Sequence, residues 1–275
     1  MVFCSIGLPT NVLTIVTVLK MQTLSPATFL TALLAFSDAG ALVSQIIAIH
    51  VLRHYKPWAV FSYIILFPYI YFTALSNWLL VLICLERYVS ICHPLKRQYL
   101  FTKKRSYVGA AILSFVIFVL LLIFYVTLHN VRPDNSFVDW FDKLLVIIIP
   151  FAIIITLTAA IIRGIRKSRI ERRRFLRRSR QEGRQPRDDP MSGTHMMIKL
   201  RAKSDRTITH MLLFDALVFL FLFTPLLVFT EGYKHGFFLQ SKHFYILLGT
   251  IATIMLDFSH VLNFFIYFIA AKKFR

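Results

Sequence analysis

Apolar residues run along the chain in seven long blocks, separated by short polar segments and one long basic one. The blocks cover about 2–19, 27–52, 60–92, 106–129, 142–165, 207–230 and 243–270. Each reaches the ~18-residue length at which an apolar run becomes a candidate membrane-crossing helix. Lipid provides no partner for an unpaired backbone amide, so each block is expected to be helical. Pro9, Pro68, Pro150 and Pro225 fall inside or beside blocks. Bundled membrane helices tolerate them, because neighbouring side chains and waters take up the freed carbonyls. The expected fold class is an all-α membrane protein, a seven-transmembrane helix bundle.

Composition strengthens this picture. The 275 residues are 57% hydrophobic and only 16% charged, against roughly a quarter charged in soluble domains. A disordered chain lacks such apolar content, and three cysteines (Cys4, Cys84, Cys92) do not make a disulfide scaffold. The net charge of +19 is distributed unevenly. Of 32 Lys and Arg, 25 lie in the first, third and fifth connections and the C-terminal tail; six lie in or beside the other connections, and Arg87 ends the third block. Basic loops stay in the cytoplasm, which puts the N-terminus outside and the C-terminus inside. Residues 163–206 hold 16 of the basic residues against five acidic ones. Alone, such a run suggests nucleic-acid binding. Tethered between membrane helices, it fits a cytoplasmic partner surface and anionic inner-leaflet lipids instead, so no nucleic acid is expected.

The chain has no phosphate-binding glycine motif, no HExxH and no internal repeat of the kind that marks a transporter. His50, His54 and His129 show no ligand spacing, and no nucleophile–base set suggests an enzyme. The chemistry lies in charges placed inside apolar blocks, which are costly there and mark functional sites: Asp38, Glu86-Arg87, Asp215 and Asp257.

Around these charges stand Gly7-x-x-x-Asn11 in the first block and Leu34-Ala35-Phe36-Ser37-Asp38 in the second. The third ends in Glu86-Arg87-Tyr88 followed by Pro94-Leu95, the fifth carries Pro150, and the sixth has Phe219-x-x-x-Phe223-Thr224-Pro225. The seventh ends in Asn263-Phe264-Phe265-Ile266-Tyr267. In this order the motifs resemble the rhodopsin-like (class A) G-protein-coupled receptors, over essentially the whole chain. Phe67-Pro68-Tyr69-Ile70-Tyr71 and the Asn-Phe-Phe-Ile-Tyr ending look most like invertebrate FMRFamide-type neuropeptide receptors.

The resemblance implies a plasma-membrane receptor for an extracellular ligand, acting through a heterotrimeric G protein and carrying out no catalysis. It implies a switch and G-protein-coupling set of Glu86, Arg87, Tyr88, Asp205, Asn263 and Tyr267, in which contacts of Arg87 with Glu86 and Asp205 hold the resting state. It also implies a polar centre of Asn11, Asp38, Ser76, Ser259 and Asn263, which His260 joins, with Na⁺ as a potential allosteric ion. Tyr69 stands where amine receptors carry an Asp, and the seventh block has no retinal lysine. A peptide ending in Arg-Phe-amide suits the rest, because a guanidinium seeks a carboxylate and a ring seeks aromatics. The expected ligand-binding residues are Tyr69, Thr73, Phe223, Glu231, Asp257 and Asp139.

The chain also departs from the family pattern. Ser62 replaces the cysteine of the extracellular disulfide, Thr158 a tyrosine of the fifth helix and Phe264 the proline of the seventh. The chain is expected to form one receptor domain over 1–275, with a third cytoplasmic loop at about 166–204 and trimmed tails. A degenerate receptor with weak signalling is the competing expectation, ahead of a transporter or channel.

Overall fold

A computed structural model describes residues 2–21, 25–55, 59–131, 140–141, 143–181 and 242–272, together with 214, 218, 221, 222, 224 and 228; residues 2–4, 59–63, 126–131, 168–169, 171–181, 242–246, 252 and 266–272 are described in backbone only. The regular elements of the described chain are all helices. Its elements are α1 (Val2–Leu19), α2 (Pro26–Tyr55), α3 (Ala59–Cys92), α4 (Pro94–Leu100), α5 (Lys103–Val131), a π-helical turn (Leu144–Ile148), α6 (Ile149–Gln181) and α7 (Lys242–Lys272). Five of these stretches are long and apolar enough to cross a membrane: Pro26–Tyr55, Ile64–Cys92, Lys103–Tyr125, Leu144–Lys167 and Leu247–Phe265. Ser5–Leu19 is apolar but shorter. In the sixth block the described residues Phe214, Val218, Phe221, Leu222, Thr224 and Val228 are each helical. Thus α5, α6 and α7 are the fourth, fifth and seventh spans.

Local chemistry sets the helix starts. Ser25 and Thr28 cap α2 reciprocally: the Thr28 amide donates to Ser25 Oγ at 3.2 Å and the Ser25 amide to Thr28 Oγ1 at 2.8 Å. Pro26 then fills the first helical position, where no N–H is missed. Thr102 opens α5 by accepting the Arg105 amide at 3.2 Å. The basic connection after α3 is not plain loop, for Pro94 starts the short helix α4, whose end closes through the Phe101 amide on Arg97 O at 3.0 Å. The apolar span ends at Lys167, near the expected start of the third cytoplasmic loop at about 166, and the helix α6 continues beyond it to Gln181.

The centre of the bundle is α3, which packs against α2, α4, α5, α6 and the π turn, while α1 lies against α2 and α7. Leu75, Leu79, Leu80 and Ile83 of α3 meet Leu30 and Leu34 of α2, Ile117 and Leu121 of α5, and Ile154 and Ile161 of α6 in one buried cluster. The opposite face of α5 exposes Val108, Ile112, Phe115 and Ile123, as a lipid-facing helix does. Helices in lipid gain little from hiding apolar surface and associate through close packing, aided by small residues. Gly7 serves this role: a Cβ there would meet Leu42 Cδ1 at 2.6 Å and Val261 Cγ2 at 2.8 Å. Gly164 does the same at the other end, where a Cβ would lie 2.5 Å from Cys92 Sγ.

The fifth span begins irregularly for a reason centred on Pro150. Without an N–H, Pro150 cannot satisfy Val146 O in an α pattern or Leu145 O in a π pattern. Side chains of α3 satisfy both. Asn77 Nδ2 donates to Val146 O at 2.8 Å and Trp78 Nε1 to Leu145 O at 2.9 Å.

Candidate functional site

The polar residues of the bundle lie at three depths along α3. The middle layer centres on Asp38, which is fully buried in α2. Its Oδ1 accepts from Ser76 Oγ of α3 at 2.5 Å and lies 2.8 Å from His260 Nδ1 of α7; its Oδ2 accepts from Asn263 Nδ2 at 2.8 Å. A carboxylate that takes donors from two neighbouring helices ties three spans together. Asn11 and Ser259 contribute differently from the other members of the expected set. Asn11 Nδ2 donates to His260 O at 3.1 Å and so joins α1 to α7, while Ser259 Oγ turns back to its own helix at Leu256 O, 2.6 Å away.

Beside this layer is a cavity of about 10 Å³ lined by Ser76, Asn77, Leu80, Val218, Ser259, His260 and Asn263. That is about the room one water needs. His260 Nε2 is buried with no hydrogen-bond partner among the described residues, as a ring nitrogen facing such a space would be. A hard cation takes oxygen ligands; His260 Nδ1 occupies Asp38 Oδ1 at 2.8 Å, while Oδ2 takes one donor, Asn263 Nδ2. Among the described residues, no three His, Cys, Asp or Glu side chains gather as a metal site.

At the end of α3 that the basic loops assign to the cytoplasm, Glu86 is fully buried and Arg87 Nε lies 3.3 Å from its Oε2. Tyr88 turns its ring edge to His93, with centroids 5.5 Å apart. Arg97 of α4, which the sequence did not single out, brings Nε and Nη2 each to 3.2 Å from Glu86 Oε1. Tyr267 lies in the helical backbone of α7, and Asp205 falls outside the described residues.

At the opposite end, α3 carries Tyr69 and Thr73 one turn apart, with Thr73 buried. Asp257 of α7 lies within electrostatic reach of Tyr69 and His260, and the Gln45 side chain of α2 is its hydrogen-bonding neighbour. Asp257 Oδ1 is buried without a hydrogen-bond partner among the described residues. Phe72, next to Tyr69 in sequence, has a packing role instead, since its ring fills the space over Gly40. Phe223, Glu231 and Asp139, and likewise Asp215, lie outside the described residues.

The three layers share one helix, α3. A search of curated proteins found no match to the chain. A family profile described as "7 transmembrane receptor (rhodopsin family)" matches residues 10–267, a stretch that runs from within α1 to within α7 and takes in the polar centre and Glu86-Arg87. The chain belongs to the rhodopsin family of seven-transmembrane receptors, which are G-protein-coupled proteins of the plasma membrane and not enzymes.

Proposed function

We propose that this receptor binds an extracellular peptide with an amidated Arg-Phe C-terminus, of the FMRFamide-like kind, and signals to a heterotrimeric G protein through Arg87. Asp257 carries the reading. It is a carboxylate inside a span, three residues before His260 and beside Tyr69, with an oxygen that has no hydrogen-bond partner among the described residues. A buried carboxylate seeks a cation, and a guanidinium gives it two parallel hydrogen bonds. The second extracellular loop adds Asp134, Asp139 and Asp142 against Arg132, which suits a cationic peptide.

The test is a panel of amidated peptides on cells expressing the receptor, with a calcium or cAMP readout. An Arg-Phe-amide peptide is expected to activate, and Asp257→Asn to weaken its potency about tenfold or more. Replacing the peptide's Arg by citrulline should weaken it on wild type and not on Asp257→Asn. Unchanged potency in Asp257→Asn removes this residue from the site. A second reading is a receptor that folds without signalling. It is favoured by the cysteines: with only Cys4, Cys84 and Cys92 in the chain, the second extracellular loop has none for the family's staple. Surface expression with no response to any peptide would support it.

A further inference from the structure

The Glu86 carboxylate holds its two arginines unequally. Oε1 accepts from Arg97 Nε at 3.2 Å and from Ser90 Oγ at 3.0 Å, with Arg97 Nη2 also 3.2 Å away. Oε2 has only the charge of Arg87 Nε at 3.3 Å, and no hydrogen bond among the described residues. Consecutive residues on a helix do not face each other, so Arg87 must fold back to reach Glu86. Arg97 arrives from a separate helix and has the better geometry. Its side chain remains a third exposed and that of Arg87 about a fifth, while the carboxylate is fully enclosed. Removing the last cation from an enclosed carboxylate is strongly unfavourable. With Arg97 in place, the departure of Arg87 does not do so.

We propose that Arg97 is a positioning residue for G-protein coupling. It pins α4 to the end of α3 and keeps Glu86 neutralised, which leaves Arg87 free to swing towards the partner. The coupling half of this proposal rests on the role of Arg87 stated above; the pinning half does not.

The experiment introduces Arg97→Gln into the full receptor, both in wild type and in Glu86→Gln, with surface levels matched by an epitope tag. Two quantities are measured: amide exchange over residues 94–101 in lipid nanodiscs, and basal nucleotide exchange on a promiscuous Gα subunit. Arg97→Gln alone should speed amide exchange about tenfold and lower basal signalling several-fold. In the Glu86→Gln background, where no charge needs a partner, it should change either by less than about twofold. Arg97→Lys, which keeps the charge without the fork, should fall between wild type and Arg97→Gln. Unchanged amide exchange in Arg97→Gln, or the same change in both backgrounds, overturns the pinning. Wild-type or raised signalling in Arg97→Gln overturns the neutralising role. If amide exchange follows expectation while no variant, wild type included, signals, the pinning holds and the coupling role of Arg87 fails.

Discussion

Asp38 shows what a single side chain does in this bundle. Its two oxygens take Ser76, His260 and Asn263, so the residue closes α2, α3 and α7 around one point. Asp38→Ala would leave all three donors buried and unpaired, at about 1–3 kcal/mol each before relaxation. A thermal unfolding scan in nanodiscs should show a loss of several degrees. Asp38→Asn keeps the volume and one acceptor oxygen, so its loss should be smaller. Asp38, Ser76 and Asn263 were legible in the sequence because polar groups inside apolar blocks stand out, and the resemblance said they meet. Arg97 was not. It is one of five basic residues between Lys96 and Arg105, and nothing in their order says which one turns inward. Only the start of α4 at Pro94 aims it at Glu86.

At the scale of an element, the fifth span illustrates a different limit. Its sequence from Leu144, LLVIIIPFAIII, is apolar on every side. Such a run has no amphipathic phase, so a one-residue π insertion changes no visible pattern. Pro150 was legible; the helix defect it accompanies and the two α3 donors that repair it were not. Asn77→Leu should destabilise the receptor by about 1–3 kcal/mol, because Val146 O is left unsatisfied. Pro150→Ala restores an N–H and should shrink that loss, which a double-mutant cycle in thermal unfolding would reveal. The contact between α3 and α6 gives a matching prediction. Gly164→Ala forces a methyl group against Cys92 Sγ and should cost about 1–3 kcal/mol. Cys92→Ala in the same chain should restore most of it, since the next atom, Cys92 Cβ, is 3.9 Å away.

For the whole molecule, the apolar blocks predicted the described spans well, because block length and helix length both follow from bilayer thickness. Charge then orients them. With 25 of 32 basic residues on one side, an N-terminal epitope should be stained on intact cells and a C-terminal one only after permeabilisation. The reverse staining would contradict the orientation. Within that frame α3 joins the layers. Tyr69 and Arg87 are eighteen residues apart, five helical turns, so they share a face about 27 Å from each other. That regularity restricts how such a chain can diverge. A substitution in the middle of α3 alters one layer and leaves the others aligned. Inserting or deleting one residue rotates everything below it by about 100°, turning Glu86 and Arg87, with the α4 that follows them, out of register with the Asp38 and Tyr69 layers. Along α3, then, evolution is free to exchange letters but not to change their number.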